Sequence, residues 1–235
     1  HVTMPAAAAI DARASAAASA RLGELCLRSA RAISLASAIP MAFLAAFSAP
    51  ICRTWLGERP DLALLPLVMT LTAVAAHLNI ITGPASAVFR SQGNVGNEFV
   101  YHGLRVAGIA GGVGLAVLAA GVSVEALAWG VAGGIGTAAV LYLAHSHRVL
   151  GIPVRLLATR VLLPGIVPAA LALALAAAWY AAVPASITRW PALALLAAFA
   201  AAYAALVSLA VWRLLDAGEK EQLQPFFRRL KRAPA

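Results

Sequence analysis

Six stretches of this sequence contain no Asp, Glu, Lys or Arg and are long enough to cross a bilayer: residues 32–52, 62–89, 106–124, 126–147, 161–188 and 190–212. A helix needs roughly 20 apolar residues to span the hydrocarbon core. Backbone in lipid must satisfy its own hydrogen bonds, and apolar runs of this length without strict alternation do so as helices, not as barrel strands. The sequence therefore predicts an all-α fold, a polytopic integral membrane helical bundle with six full transmembrane helices. Composition agrees, since 62% of the 235 residues are hydrophobic and 11% charged, against about 25% charged in an ordinary soluble domain. Collagen, disorder and a disulfide framework are excluded.

The positive-inside rule supplies an independent check. With the N-terminal segment in the cytoplasm, the outer turns hold only Arg53, Arg59 and Arg189, and every other Lys and Arg falls on the inner side. A misplaced span would have scrambled this alternation. Both ends of the chain are expected to face the cytoplasm. The formal net charge of +9 in so apolar a chain points to anionic phospholipids or their ligands as partners, and not to nucleic acid.

Five further boundaries follow. Residues 1–10 (HVTMPAAAAI) are apolar but too short to span, and read as the end of a truncated transmembrane helix. Residues 11–31 (DARASAAASARLGELCLRSAR) are rich in helix formers, with Glu24 four positions before Arg28 in the favourable ion-pair orientation; they read as a cytoplasmic amphipathic helix in the headgroup layer, or else a solvated connecting helix. Residues 32–147 hold four spans, 148–160 form a cytoplasmic link, and 161–212 hold two more. The basic tail, 213–235, ends in PFFRRLKRAPA and either clings to anionic lipid or only sets topology.

Packing signals are stronger than chemical ones. Gly108 and Gly112 are spaced four apart, as are Gly130 and Gly134, on two spans joined by a tight turn at residues 121–125, so close backbone approach within that hairpin is expected. Pro40, Pro84, Pro164 and Pro168 lie in or near spans and should bend or break helices. Cys26 and Cys52 fall a membrane apart, which rules out a disulfide between them.

Catalytic chemistry is mostly absent from the pattern. All nine acidic residues fall outside the charge-free spans, so no intramembrane carboxylate is available for a proton relay, a metal or general acid catalysis. No G-x-S-x-G elbow and no H-E-x-x-H helix occurs. His145 and His147 form an isolated H-x-H beside Arg148, either part of a metal site or an interfacial polar cap. No metal, cofactor or catalytic residue is expected. His77 and Asn79 interrupt the second span and either line a water-filled cavity or hydrogen-bond neighbouring helices; a histidine could also exchange protons there. Arg90 and Arg105 flank the glycine-containing link SQGNVGNE. Two guanidiniums at helix ends could hold a phosphate bidentately, or serve only to set topology, and Glu98 could pair with either.

The order P-A-A-A-A-I, then R-L-G-E-L-C-L-R-S-A-R, then P-I-C-R-T-W-L-G-E and T-G-P-A-S-A-V-F-R-S-Q-G-N resembles the C-terminal half of a polysaccharide or lipid-linked oligosaccharide flippase. That family belongs to the MATE-like multidrug/oligosaccharidyl-lipid/polysaccharide exporter superfamily. The likeness rests on Trp55 to Gly57 outside a span and on Gly83, Pro84 and Gly93 around an inner loop, and covers residues 4–160. It implies a transporter of two helical lobes, this chain supplying the C-terminal lobe and a missing N-terminal lobe completing it. On that basis the expected function is translocation of an undecaprenyl-pyrophosphate-linked oligosaccharide across the bacterial inner membrane by alternating access, with no enzymatic step. Arg90, Arg105, His77 and Asn79 are the expected substrate-binding residues. A drug or metabolite exporter of the same superfamily, a glycan polymerase or acyltransferase using His77, His102 or His145 as base, and a membrane scaffold are the alternatives.

Overall fold

The computed structural model describes residues 16–57, 59–184 and 186–214. Residues 1–10, expected to end a longer helix, the first residues of the segment 11–31, and the basic tail from residue 215 onward lie outside them. The helices are α1 (Ala16–Ala46), α2 (Ser48–Leu56), α3 (Leu65–Ile81), α4 (Gly83–Ser91), α5 (Gly96–Ala120), α6 (Val124–Val149), α7 (Val154–Leu157), α8 (Leu163–Ala182) and α9 (Arg189–Leu214). A 3-10 turn at Pro60–Leu62 precedes α3, and a π-helical turn at Ala158–Leu162 joins α7 to α8. Among the described residues there is no strand. Six candidate spans result: Ala20–Ala46, Pro60–Ser91, Gly96–Ala120, Val124–Val149, Val154–Ala182 and Arg189–Arg213. The protein is an all-α, multi-pass membrane bundle.

The described part of segment 11–31 forms the first half of α1, which runs unbroken into the first span. Leu22, Cys26, Ala30, Ser34 and Ala38 recur at four-residue steps and are all buried, so a single stripe continues from one half to the other. Nothing between Glu24 and Ile39 breaks a helix. Arg28 keeps the expected pair with Glu24 at 2.8 Å, and Arg160 approaches the same carboxylate at 3.8 Å. The break comes later, at Phe47: Pro50 has no N–H to offer the carbonyl of Ala46, and the chain re-enters α2 with Phe47 and Ile51 still donating four residues back.

Helices also begin earlier than the charge-free intervals. Gly96–Ala120 includes Glu98 and Arg105, and Val154–Ala182 includes Arg155 and Arg160. A charge-free interval marks the hydrocarbon depth, whereas the helix carries its charged first turns on toward the headgroups. Two consequences follow. The link expected at 148–160 shrinks to the turn after Val149, closed by Gly151 at φ 66° and by Ile152 donating to the His147 carbonyl at 2.8 Å. Glu98, expected outside the spans, lies in the first turn of a spanning helix.

The chain alternates direction. One apolar cluster joins Leu22, Leu27, Val88, Tyr142, Leu157 and Val161, gathering the first half of α1, α4, the end of α6 and the start of the fifth span at one end. That end carries Arg21, Arg28, Arg31, Arg90, Arg148, Arg155 and Arg160 close in sequence and is called the arginine-rich end below. A second cluster, Phe47, Ala176 and Trp179, closes the opposite end, where Phe43 stacks on Phe47 at 4.5 Å and Phe199 meets Trp179 edge-on at 5.4 Å. Tyr203 of α9 ties the two layers between them, its hydroxyl donating toward the carbonyls of Ile39 at 2.9 Å and Pro168 at 3.3 Å.

The α5–α6 hairpin packs as its glycines predict. Gly121 at φ 76° ends α5, and Ser123 caps α6 by accepting from the Ala126 N–H at 3.1 Å, the ordinary N-cap arrangement. The outward face of α5, including Val106 and Leu118, is exposed, as a lipid-facing surface requires.

Candidate functional site

A seam of polar side chains follows the breaks in the helices. At its inner end, Ser34 donates to the Val161 carbonyl at 2.9 Å and Ser37 lies 2.9 Å from His77 Nδ1. Val161 belongs to the π turn just ahead of Pro164, which supplies no N–H for the Arg160 carbonyl. The wider turn turns a backbone carbonyl toward α1, and Ser34 satisfies it. Gly165 faces the same point: a Cβ there would lie 3.4 Å from Ser34 Oγ and 3.7 Å from His77 Nε2.

The second part of the seam surrounds the α3–α4 break. Pro84 cannot donate to Ile80, and Thr82 closes the turn by donating its hydroxyl to the Asn79 carbonyl at 2.7 Å. The Tyr101 hydroxyl donates to Asn79 Oδ1. Its ring lies 4.6 Å from that of Tyr142, and the Tyr142 hydroxyl is 3.1 Å from Ser86 Oγ. Toward the arginine-rich end, Arg90 grips Glu98 with two nitrogens, Nε at 2.8 Å and Nη2 closer still. His102 stands 4.0 Å from the same carboxylate, and His145 Nε2 is 2.9 Å from Asn97 Oδ1.

The four sequence-predicted residues do not share one pocket. His77 and Asn79 are two positions apart, about 200° around a helix, and the structure turns them to different neighbours, His77 to α1 and Asn79 to α5. Arg90 is engaged by Glu98, one of the two pairings open to that carboxylate in the sequence. Arg105 stands seven residues after Glu98, about 10 Å along α5 on nearly the same face, and makes no hydrogen bond or ion pair among the described residues. Sequence reasoning passed over Ser34, Ser37, Tyr101 and Tyr142. The four-residue buried stripe of α1 that holds Ser34 was the available signal.

Among the described residues, no three His, Cys, Asp or Glu side chains are grouped to hold a metal ion. The H-x-H pair divides for the reason that divides His77 from Asn79. His145 reaches Asn97, while His147 is buried with Nδ1 unpartnered.

The opposite end holds a cleft of about 820 Å³ lined by Arg53, Arg59, Arg189, Trp55, Trp179 and Tyr180. The sequence puts Arg53 and Arg59 in one outer turn and Arg189 in another, and the antiparallel packing of α2, α8 and α9 brings the two turns together. Cys52 also lines the cleft, and burial pushes its thiol pKa up.

No family model, curated protein or solved structure matches the chain.

Proposed function

We propose that this chain is the C-terminal lobe of a transporter that moves an undecaprenyl-pyrophosphate-linked oligosaccharide across the bacterial inner membrane by alternating access. The observation that carries the reading is the set of polar side chains on two sides of the broken α3–α4 helix, Ser34, Ser37 and His77 toward α1 and the π turn, and Asn79 and Arg90 toward Tyr101 and Glu98 of α5. Interrupted helices with polar side chains at membrane depth are where transporters hold their cargo. A pyrophosphate cannot enter hydrocarbon unpaired, because buried charge costs many kcal/mol. Arg105, without a partner, and Arg90, which would exchange Glu98 for phosphate oxygens, are the groups that lower that barrier at the arginine-rich end. The lipid tail stays in the bilayer, and no covalent bond changes.

Deleting the gene in its host tests the reading. Lipid-linked repeat units should accumulate on the inner leaflet and be exported again on complementation. Units reaching the outer leaflet at the normal rate, with no redundant carrier present, would remove the assignment.

A further inference from the structure

The cleft at the opposite end is assembled against the general charge bias of the chain. Positive side chains avoid the outer face of a membrane protein, yet Arg53 and Arg59 from one connection and Arg189 from another line one volume of about 820 Å³. The N-terminal ends of α3 and α9 and the C-terminal ends of α2 and α8 meet around it. Their dipoles oppose one another, which leaves the guanidiniums to set the local field. Arg59 is paired with Asp61 at 2.9 Å, both side chains being 60% exposed. An ion pair so exposed contributes little to stability and yields readily to a better anion. Arg189 has no hydrogen bond or ion pair among the described residues.

The rest of the lining points to the source of that anion. Val183 and Ala192 give the cleft apolar walls beside the guanidiniums, which a soluble phosphate does not need but a glycerol backbone and its first methylenes do. Trp55 and Trp190 stand 69% and 77% exposed at the same end, the position of residues that sit at the headgroup level of a bilayer. We propose that this cleft binds the phosphate of an anionic lipid headgroup, with Arg189 the leading guanidinium and Arg53 and Arg59 completing the cradle. The inference does not depend on the transport reading and fails separately from it.

The test uses the full chain in detergent micelles, with native mass spectrometry to follow retained lipid. Phosphatidylglycerol should be retained in preference to phosphatidylcholine. Arg53→Gln with Arg189→Gln should weaken phosphatidylglycerol binding about tenfold or more, and Arg189→Lys should keep most of it. Arg148→Gln with Arg155→Gln, which removes equal charge from the arginine-rich end, should leave it unchanged. Helix content and thermal unfolding accompany each variant; if the double variant loses structure, Arg189→Gln alone, at an exposed position, carries the comparison. Equal retention by the Arg53/Arg189 variant, equal loss in the Arg148/Arg155 variant, or inorganic phosphate binding as tightly as the lipid would each overturn the proposal.

Discussion

Gly108 and Gly134 meet backbone to backbone: a Cβ on Gly108 would lie 2.6 Å from the Gly134 carbonyl oxygen. Gly112 and Gly130 repeat the contact one turn along. Lipid offers no hydrophobic force to hold α5 against α6, so the hairpin depends on this close van der Waals packing. Gly134→Ala should therefore force the helices apart and destabilise the protein by about 1–3 kcal/mol. Gly133→Ala, where nothing lies within 4 Å, should be neutral or slightly stabilising because alanine is the better helix former. Thermal unfolding in detergent compares the two, and equal losses would show that the glycine contact does not hold the hairpin.

The pairing of Ser37 with His77 joins α1 to α3 at membrane depth. Polar contacts of this kind average about 0.6 kcal/mol and reach about 1.7. In a double-mutant cycle, Ser37→Ala and His77→Ala should show a favourable coupling of about that size. Their stability losses adding without coupling would mean that the two side chains act independently.

What the sequence made legible, and what it hid, has a common physical cause. Spans and the glycine hairpin are properties of single helices or adjacent pairs, and local composition reports them: Gly83 and Pro84 mark the α3–α4 break and Gly108 to Gly134 the hairpin, whereas Pro40 and Pro168 lie inside unbroken helices. The seam and the cleft depend on which faces meet. His77 and Asn79 are neighbours in the chain yet turn to α1 and α5, and no local pattern states which helix lies on either side. Arg53 and Arg189 are far apart in sequence and share a cleft only because α2 and α9 end at the same level. The apolar face of residues 11–31, with Leu22 and Cys26, was legible, but its continuation through Ala30 and Ser34 into the first span depends on what packs against α1.

The two cysteines report the layout chemically. Cys26 is buried at 1% exposure and Cys52 is only partly buried, so an impermeant maleimide should modify Cys52 in the folded protein and Cys26 only after unfolding. Because the Cys52 thiol is shifted upward by burial, its reactive thiolate is scarcer at neutral pH than that of an ordinary cysteine. Its labelling rate should keep climbing with alkaline pH beyond the point at which a free-thiol standard has levelled off. Labelling from outside intact cells would agree with the topology read from the arginines, whereas labelling of Cys52 only in inverted vesicles would reverse it.

Arg90 and Glu98 provide the sharpest test of the transport reading, because stability and function should separate there. The Arg90 side chain is 53% exposed and that of Glu98 17%, and glutamine keeps the volume and one acceptor oxygen, so Glu98→Gln should change unfolding only modestly while leaving Arg90 available to an incoming phosphate. Export should be kept or raised in that variant. Arg90→Gln with Arg105→Gln removes both guanidiniums at similarly small cost to the fold, and should cut export of lipid-linked units by about tenfold or more, the loss of one or two charge-assisted hydrogen bonds. Membrane insertion, followed by fractionation of the tagged chain, should be unchanged. Export at the normal rate in the double variant would take both arginines out of the site and leave the seam a structural feature of the bundle.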